Sequence, residues 1–217
     1  PAWDLEGLRP YVQVMEPQPG VMAFLEKFKW MTGVLVDYDA CQRIAYENVL
    51  DAQGEGIAYV ELRFSPVFMA QAHDLRPEGV VEAVADGAEA GARDTGVGVN
   101  LIGIISRHFG PESAWRELAA LLTHRDRFVA LDLAGDEANW PGELFEPHFR
   151  QARDAGWQIT VHAGEAAGPP SVWQALNGLG ATRIGHAARA GEDPMLLDYL
   201  ASHGIGIEAN LTSDVQT

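Results

Sequence analysis

Phe128–Ala134 reads FVALDLA, and its alternation decides between two folds. Val129, Leu131 and Leu133 fall on one side of an extended chain and Ala130 and Asp132 on the other, the period of a β-strand. Ile57–Phe64 (IAYVELRF) repeats the pattern, with Val60, Leu62 and Phe64 opposite Glu61 and Arg63. Four more segments read as strands: Val97–Ser106, Trp157–His162, Thr182–His186 and Gly204–Leu211. Helical patterns lie between them. Pro111–Thr123 opens on a proline suited to a first turn and carries Trp115, Leu118 and Leu122 on one face. Asp193-Pro194 starts another helix that Gly204 closes, and Pro170–Leu179 fits a third. Before the first strand, Val21–Phe28 and Tyr38–Ala52 also read as helical. This strand–helix alternation describes βαβ units and an α/β parallel sheet.

Two parallel sheets compete. An open doubly wound sheet is buried on both faces and should show near-continuous apolar strands. These strands instead place Glu61, Arg63, Asp132, Thr160, His162, Glu208 and Asn210 on one face. In a TIM-type (β/α)8 barrel the inward face near the C-terminal mouth is polar and catalytic, so the barrel is preferred, with six of its eight strands present. An inward charge needs a partner, and Arg107 is expected to meet an acid such as Glu208.

Composition narrows the function. The chain of 217 residues carries 15 Lys plus Arg against 31 Asp plus Glu, a net charge of −16. That argues against nucleic acid or an anionic membrane as the main partner, and for a small neutral or weakly basic ligand. Hydrophobic residues make up 47% and charged ones 21%, as in ordinary globular domains. Residues 1–217 read as one barrel domain whose helical segment, about 1–52, covers the active-site mouth. The single cysteine, Cys41, leaves no disulfide framework and no Cys-based metal site, so a cytoplasmic setting is expected and Cys41 itself should be buried and inert. No apolar run reaches the ~18 residues that span a bilayer. Trp3, Trp30, Trp115, Trp140, Trp157 and Trp173 are scattered, which favours core packing over base stacking.

Three short runs could carry chemistry. Val161–Glu165 (VHAGE) ends a strand with His162 and sets Glu165 three residues on. A strand-end imidazole suits zinc, and a carboxyl in a dry pocket can serve as an acid. A satisfied histidine beside a solvated glutamate has the same spacing, and His-x-x-Glu alone does not separate them. Arg183–His186 (RIGH) brings a second histidine to the end of the next strand, where the two would converge. After Asp132, Gly135 lets backbone approach a ligand, while Asp136 and Glu137 read as a cap and a first-turn acid. His73, His108, His124, His148 and His203 read as surface or helix-end residues.

Taken together, YVELRFSP (59–66), LDLAGDE (131–137), ITVHAGE (159–165), RIGH (183–186) and EANLTS (208–213) resemble the adenosine deaminase family, in order and over essentially the whole chain. The resemblance implies a zinc-dependent barrel that converts adenosine or 2′-deoxyadenosine and water to inosine or 2′-deoxyinosine and ammonia. It implies His162 as a zinc ligand, Glu165 as the acid that protonates purine N1, and His186 as the histidine that orients and deprotonates water. It further implies Gly135 as the backbone donor to purine N3, and Leu25 and Phe28 as part of an apolar helix over the nucleoside. The family's His-x-His pair and Asp-Asp pair have no counterpart here, so one of four protein zinc ligands is present. Ala187 stands where the family usually has Gly, and Asp214 where it usually has Asn. The chain thus reads as a barrel lacking its first and last strands, inactive alone and prone to self-association through the two open strand edges. Two alternatives remain: an adenine-type deaminase, against which LDLAGDE and Gly185 speak, and a nucleoside-binding relic without turnover.

Overall fold

A computed structural model describes residues 4–216. Trp3 lies outside them. The elements in chain order are α1 (Leu5–Val12), α2 (Val21–Leu25), α3 (Phe28–Thr32), α4 (Tyr38–Gly54), β1 (Tyr59–Phe64), α5 (Pro66–Ala70), α6 (Pro77–Thr95), β2 (Gly98–Ser106), α7 (Gly110–Leu122) and β3 (Phe128–Ala134). They continue as α8 (Glu146–Asp154), β4 (Gln158–Ala163), α9 (Pro169–Gln174), β5 (Arg183–His186), α10 (Pro194–Ser202), β6 (Gly206–Glu208) and α11 (Leu211–Gln216). All six strands run parallel, in sequence order, as one sheet.

The alternation of the sequence becomes two environments. Leu131, Leu133, Ile159, Val161 and Ile184 are buried in the apolar layer between sheet and helices. The other face curls into a charged interior. Arg63 on β1 donates to Asp132 on β3 at 2.9 Å and to Glu208 on β6 at 2.6 Å, and Arg183 on β5 meets Glu61 on β1 at 2.7 Å and Glu208 at 2.9 Å. Side chains of the first and last strands meet only if the sheet is rolled, which is the barrel geometry. Among the described residues, β1 pairs only with β2 and β6 only with β5.

Arg107 does not pair with Glu208. It is almost fully buried and donates to the backbone carbonyls of Leu133, Trp140 and His162, the last at 2.7 Å. Arg63 occupies the position facing Glu208, because it lies on the strand that the curl brings toward β6.

The helices were less legible. The helix read at Val21–Phe28 ends early as α2 at Leu25, with Phe28 only opening the separate α3, and Pro170–Leu179 becomes α9 followed by a π-helical turn at Ala175–Leu179. The strand read at Gly204–Leu211 shortens to β6 because Leu211 already begins α11. The helices α1, α5, α6 and α8 had no counterpart in the sequence reading. Trp157 is core, but Trp30 and Trp115 are exposed, so scattering did not mean core packing for those two. Of the helix-end histidines, His148 is instead buried, its ring against Trp115 with centroids 3.9 Å apart and its nitrogens on the Phe145 and Pro111 carbonyls. Cys41 is fully buried on α4.

Candidate active site

The C-terminal ends of the strands and α2–α3 enclose a cavity of about 500 Å³, within the range that holds a small ligand. Gly135, His162, Glu165 and His186 line it from the strand ends, and Leu25 and Phe28 line it from the helices. The structure thus brings all six sequence-selected residues to one wall system. Phe24, Ser65, Phe68 and His108 are among its other lining residues. From sequence, His108 reads as a surface or helix-end residue. In the structure its ring instead packs on Phe68 and Phe109, and Nδ1 is buried without a hydrogen-bond partner.

His162 is the penultimate residue of β4 and faces the cavity. Its Nδ1 lies 3.0 Å from Asp132 Oδ1, and a carboxylate can only accept, so Nδ1 carries the hydrogen and Nε2 is left to act on a ligand. Burial works to lower the His162 pKa, but the Asp132 carboxylate outweighs it and the value is raised. Burial works in the opposite sense on Asp132, where His162 and Arg63 together hold the carboxyl below its ordinary range.

His186 is the last residue of β5 and sits at φ +71°, a left-handed conformation. Its Nδ1 meets Asp214 Oδ1 at 2.6 Å, and its Nε2 lies 3.6 Å from Glu165 Oε2. The His162 and His186 ring centroids are 5.3 Å apart. Ala187 is also left-handed, at φ +53°, which gives a backbone reason for a glycine at that position.

Two glycines are required by space as well as by φ. Gly164 sits at φ +75°, where an added Cβ would lie 2.8 Å from Val172 Cγ2 and 3.2 Å from Ala187 Cα. Gly135 sits at φ +108°, and a Cβ there would come within 2.4 Å of His108 Nδ1.

The sequence reading of Asp136 and Glu137 divides. Asp136 accepts from the Asn139 backbone at 3.2 Å, as a capping residue does. Glu137 is buried and accepts from the backbone of residues 164–167, so it is not a first-turn acid. Nothing in the run Gly135-Asp136-Glu137 marks which carboxylate turns inward, since the partners lie 27 to 30 residues away.

These residues do not by themselves make a metal centre. Among the described residues no group of three or more His, Cys, Asp or Glu side chains could hold a metal ion. Catalytic zinc takes about three protein ligands, and His162 is a single oriented donor.

The family described as adenosine deaminase matches over residues 1–217. The chain belongs to the adenosine deaminase family. It is 59% identical over its whole length to adenosine deaminase of Pectobacterium atrosepticum, covering 64% of that protein, and 58% identical to that of Serratia proteamaculans, covering 65%. It therefore spans just under two thirds of the relatives it matches. Among solved structures, adenine deaminase from Arthrobacter aurescens superposes over 100% of this chain and 64% of its own with TM-score 0.90 at 24% identity, a likeness of fold. An amidohydrolase from Burkholderia ambifaria with bound Zn superposes over 94% of this chain and 56% of its own with TM-score 0.85 at 26% identity. In this adenosine deaminase family chain, each motif run sends some of its residues to the cavity wall, Arg63 to Ser65 from the first and Asn210 and Ser213 from the last among them. No helix among the described residues is long and apolar enough to cross a membrane.

Proposed function

We propose that the whole protein hydrolyses adenosine and 2′-deoxyadenosine to the corresponding inosine and ammonia. One observation carries the reading: Glu165, His186, His162 and Gly135 border one cavity whose opposite wall is the apolar pair Leu25 and Phe28.

Each residue then has a task that its geometry suits. Leu25 and Phe28 cover the nucleoside and exclude water. The Gly135 N–H donates to purine N3 and sets the ring's register. Glu165 gives a proton to N1, which draws electrons from C6. His186, whose Nδ1–H is held by Asp214, presents the Nε2 lone pair to the attacking water and takes its proton. A C6–O bond forms; the proton held by His186 passes to the amino group as the C6–N bond breaks and ammonia leaves, and the remaining hydroxyl proton is released as C6=O forms, which restores the Glu165 acid. Zinc belongs to the same proposal for the whole protein, with His162 as one donor oriented by Asp132. The 217-residue chain by itself, with one such donor, is expected to be inactive and to self-associate through the β1 and β6 edges. Cytoplasmic purine salvage is the setting we assign to the activity.

The experiment is to supply the whole protein with adenosine, adenine and AMP and to measure ammonia release and metal content. Turnover of adenosine at least 100-fold faster than of adenine is expected, with zinc bound. Preference for the free base would replace the reading with an adenine-type deaminase. Tight nucleoside binding without ammonia would replace it with a binding protein.

A further inference from the structure

Glu137 makes five hydrogen bonds, and all five partners are donors. Oε1 accepts from the Gly164 N–H at 2.6 Å and from the Ser171 hydroxyl at 2.5 Å. Oε2 accepts from the N–H groups of Glu165 at 3.1 Å, Ala166 at 2.7 Å and Ala167 at 2.9 Å. Four successive backbone N–H groups converge on one carboxylate, so this segment is an anion-binding nest whose anion is a side chain of the protein itself. Gly164, left-handed at φ +75°, makes the turn that aims them. Glu137 is 4% exposed, and the buried Arg107 guanidinium lies close enough to interact with its charge. The second residue of the nest is Glu165, whose side chain leaves the loop toward His186.

We propose that Glu137 is a positioning residue for the reaction: it fixes the backbone of residues 164–167 and thereby aims the Glu165 carboxyl at the purine. This rests on the deaminase reading of the site. The nest matches an acceptor-only group. Glu137→Gln keeps the shape but replaces one oxygen by an NH2, which must face either Gly164 N–H or the N–H groups of residues 165–167. A donor facing a donor displaces the loop. A displacement of about 1 Å at a reacting group costs roughly 100-fold in rate.

The test uses the whole enzyme. Glu137→Gln should lower kcat for adenosine about 100-fold with KM changed less than about threefold, because the apolar wall and Gly135 still bind the nucleoside. In the Glu165→Gln background, Glu137→Gln should add almost nothing, since it acts through Glu165. Glu137→Asp, which keeps the charge but is one methylene short, should fall between. Amide exchange followed by mass spectrometry should show residues 164–167 protected in the wild type and at least 10-fold faster in Glu137→Gln.

A folded Glu137→Gln enzyme with kcat within about threefold of wild type overturns the proposal. So does a loss confined to KM, or a full additional loss in the Glu165→Gln background, which is the mark of general destabilisation. If Glu137→Gln does not fold, exchange in the wild type decides: rapid exchange at residues 164–167 overturns the cradle, and slow exchange upholds it. Wild-type protein that binds nucleoside but releases no ammonia would refute the deaminase reading instead, and the exchange pattern would still report on the cradle separately.

Discussion

Arg63 on the first strand donates to Glu208 on the last at 2.6 Å, across 145 positions of chain. The same guanidinium holds Asp132 at 2.9 Å, and Asp132 holds the His162 ring. The contact that rolls the sheet is therefore two hydrogen bonds from the histidine that faces the cavity. Fold closure and site geometry share one chain of charges.

Removing that guanidinium should be felt in both. Arg63→Met leaves the fully buried Asp132 carboxylate and Glu208 without their shared cation. A stability loss of about 3 kcal/mol is expected from urea unfolding, as for breaking a buried ion pair by deleting one partner. A loss below about 0.5 kcal/mol would show that the network is not what holds the strands together.

Glu117 gives a signature in pH. It is buried on α7 against the C-terminal ends of β1 and β2, where the Ser65 hydroxyl donates to it at 2.5 Å and the Ser106 N–H at 2.8 Å. Burial pushes its pKa up from 4.5 to about 7, with the serine hydrogen bonds pulling the other way. A raised carboxyl binds its proton more tightly when folded. Its stability contribution is then complete below pH 4.5, declines between 4.5 and 7, and stays flat above. The difference in unfolding free energy between wild type and Glu117→Gln should shift by about 3 kcal/mol across that window, against the wild type as pH rises. A difference independent of pH would mean that Glu117 is ionised in the native state throughout.

The strands were legible because their inward residues are charged. Glu61, Arg63, Asp132 and Glu208 interrupt apolar runs with period 2, and no helix pattern does that. The helix α6 was not legible, because its buried face is largely alanine and glycine: Ala83, Ala85, Gly87, Ala88 and Gly91. Packed close against α4, where a Cβ at Gly87 would lie 2.1 Å from the Gln42 carbonyl oxygen, it needs small residues and so shows little hydropathy contrast. Within the site, His162, Glu165 and His186 could be read locally because they sit at strand ends. Glu137 and His108 could not, because their partners are remote in sequence: the nest lies 27 to 30 positions from Glu137, and Phe68 lies on α5.

His108 and Gly135 should be coupled. Gly135→Ala puts a methyl carbon 2.4 Å from the His108 Nδ1 and imposes φ +108° on an alanine. Nucleoside affinity should fall at least 10-fold. His108→Ala added to Gly135→Ala removes the clash but not the backbone strain, so calorimetry should show partial recovery. Strict additivity would mean that the two residues do not touch in solution.

Cys41 should be silent to thiol reagents. It is fully buried, and burial, together with the nearby Asp37 charge, raises its pKa, so little thiolate exists at neutral pH. A chromogenic disulfide should label it only after unfolding. Labelling of the native protein within minutes would show that α4 opens easily.

The central claim is that a proton from Glu165 activates the purine, and turnover by the whole enzyme carrying Glu165→Gln tests it most directly. A carboxamide of the same shape can still fill the position beside His186 but cannot deliver the proton. The account predicts unchanged nucleoside binding by calorimetry and a fall in kcat for adenosine of at least 10²–10⁴-fold. Ammonia release at a near-normal rate would contradict it and assign the acid to another group.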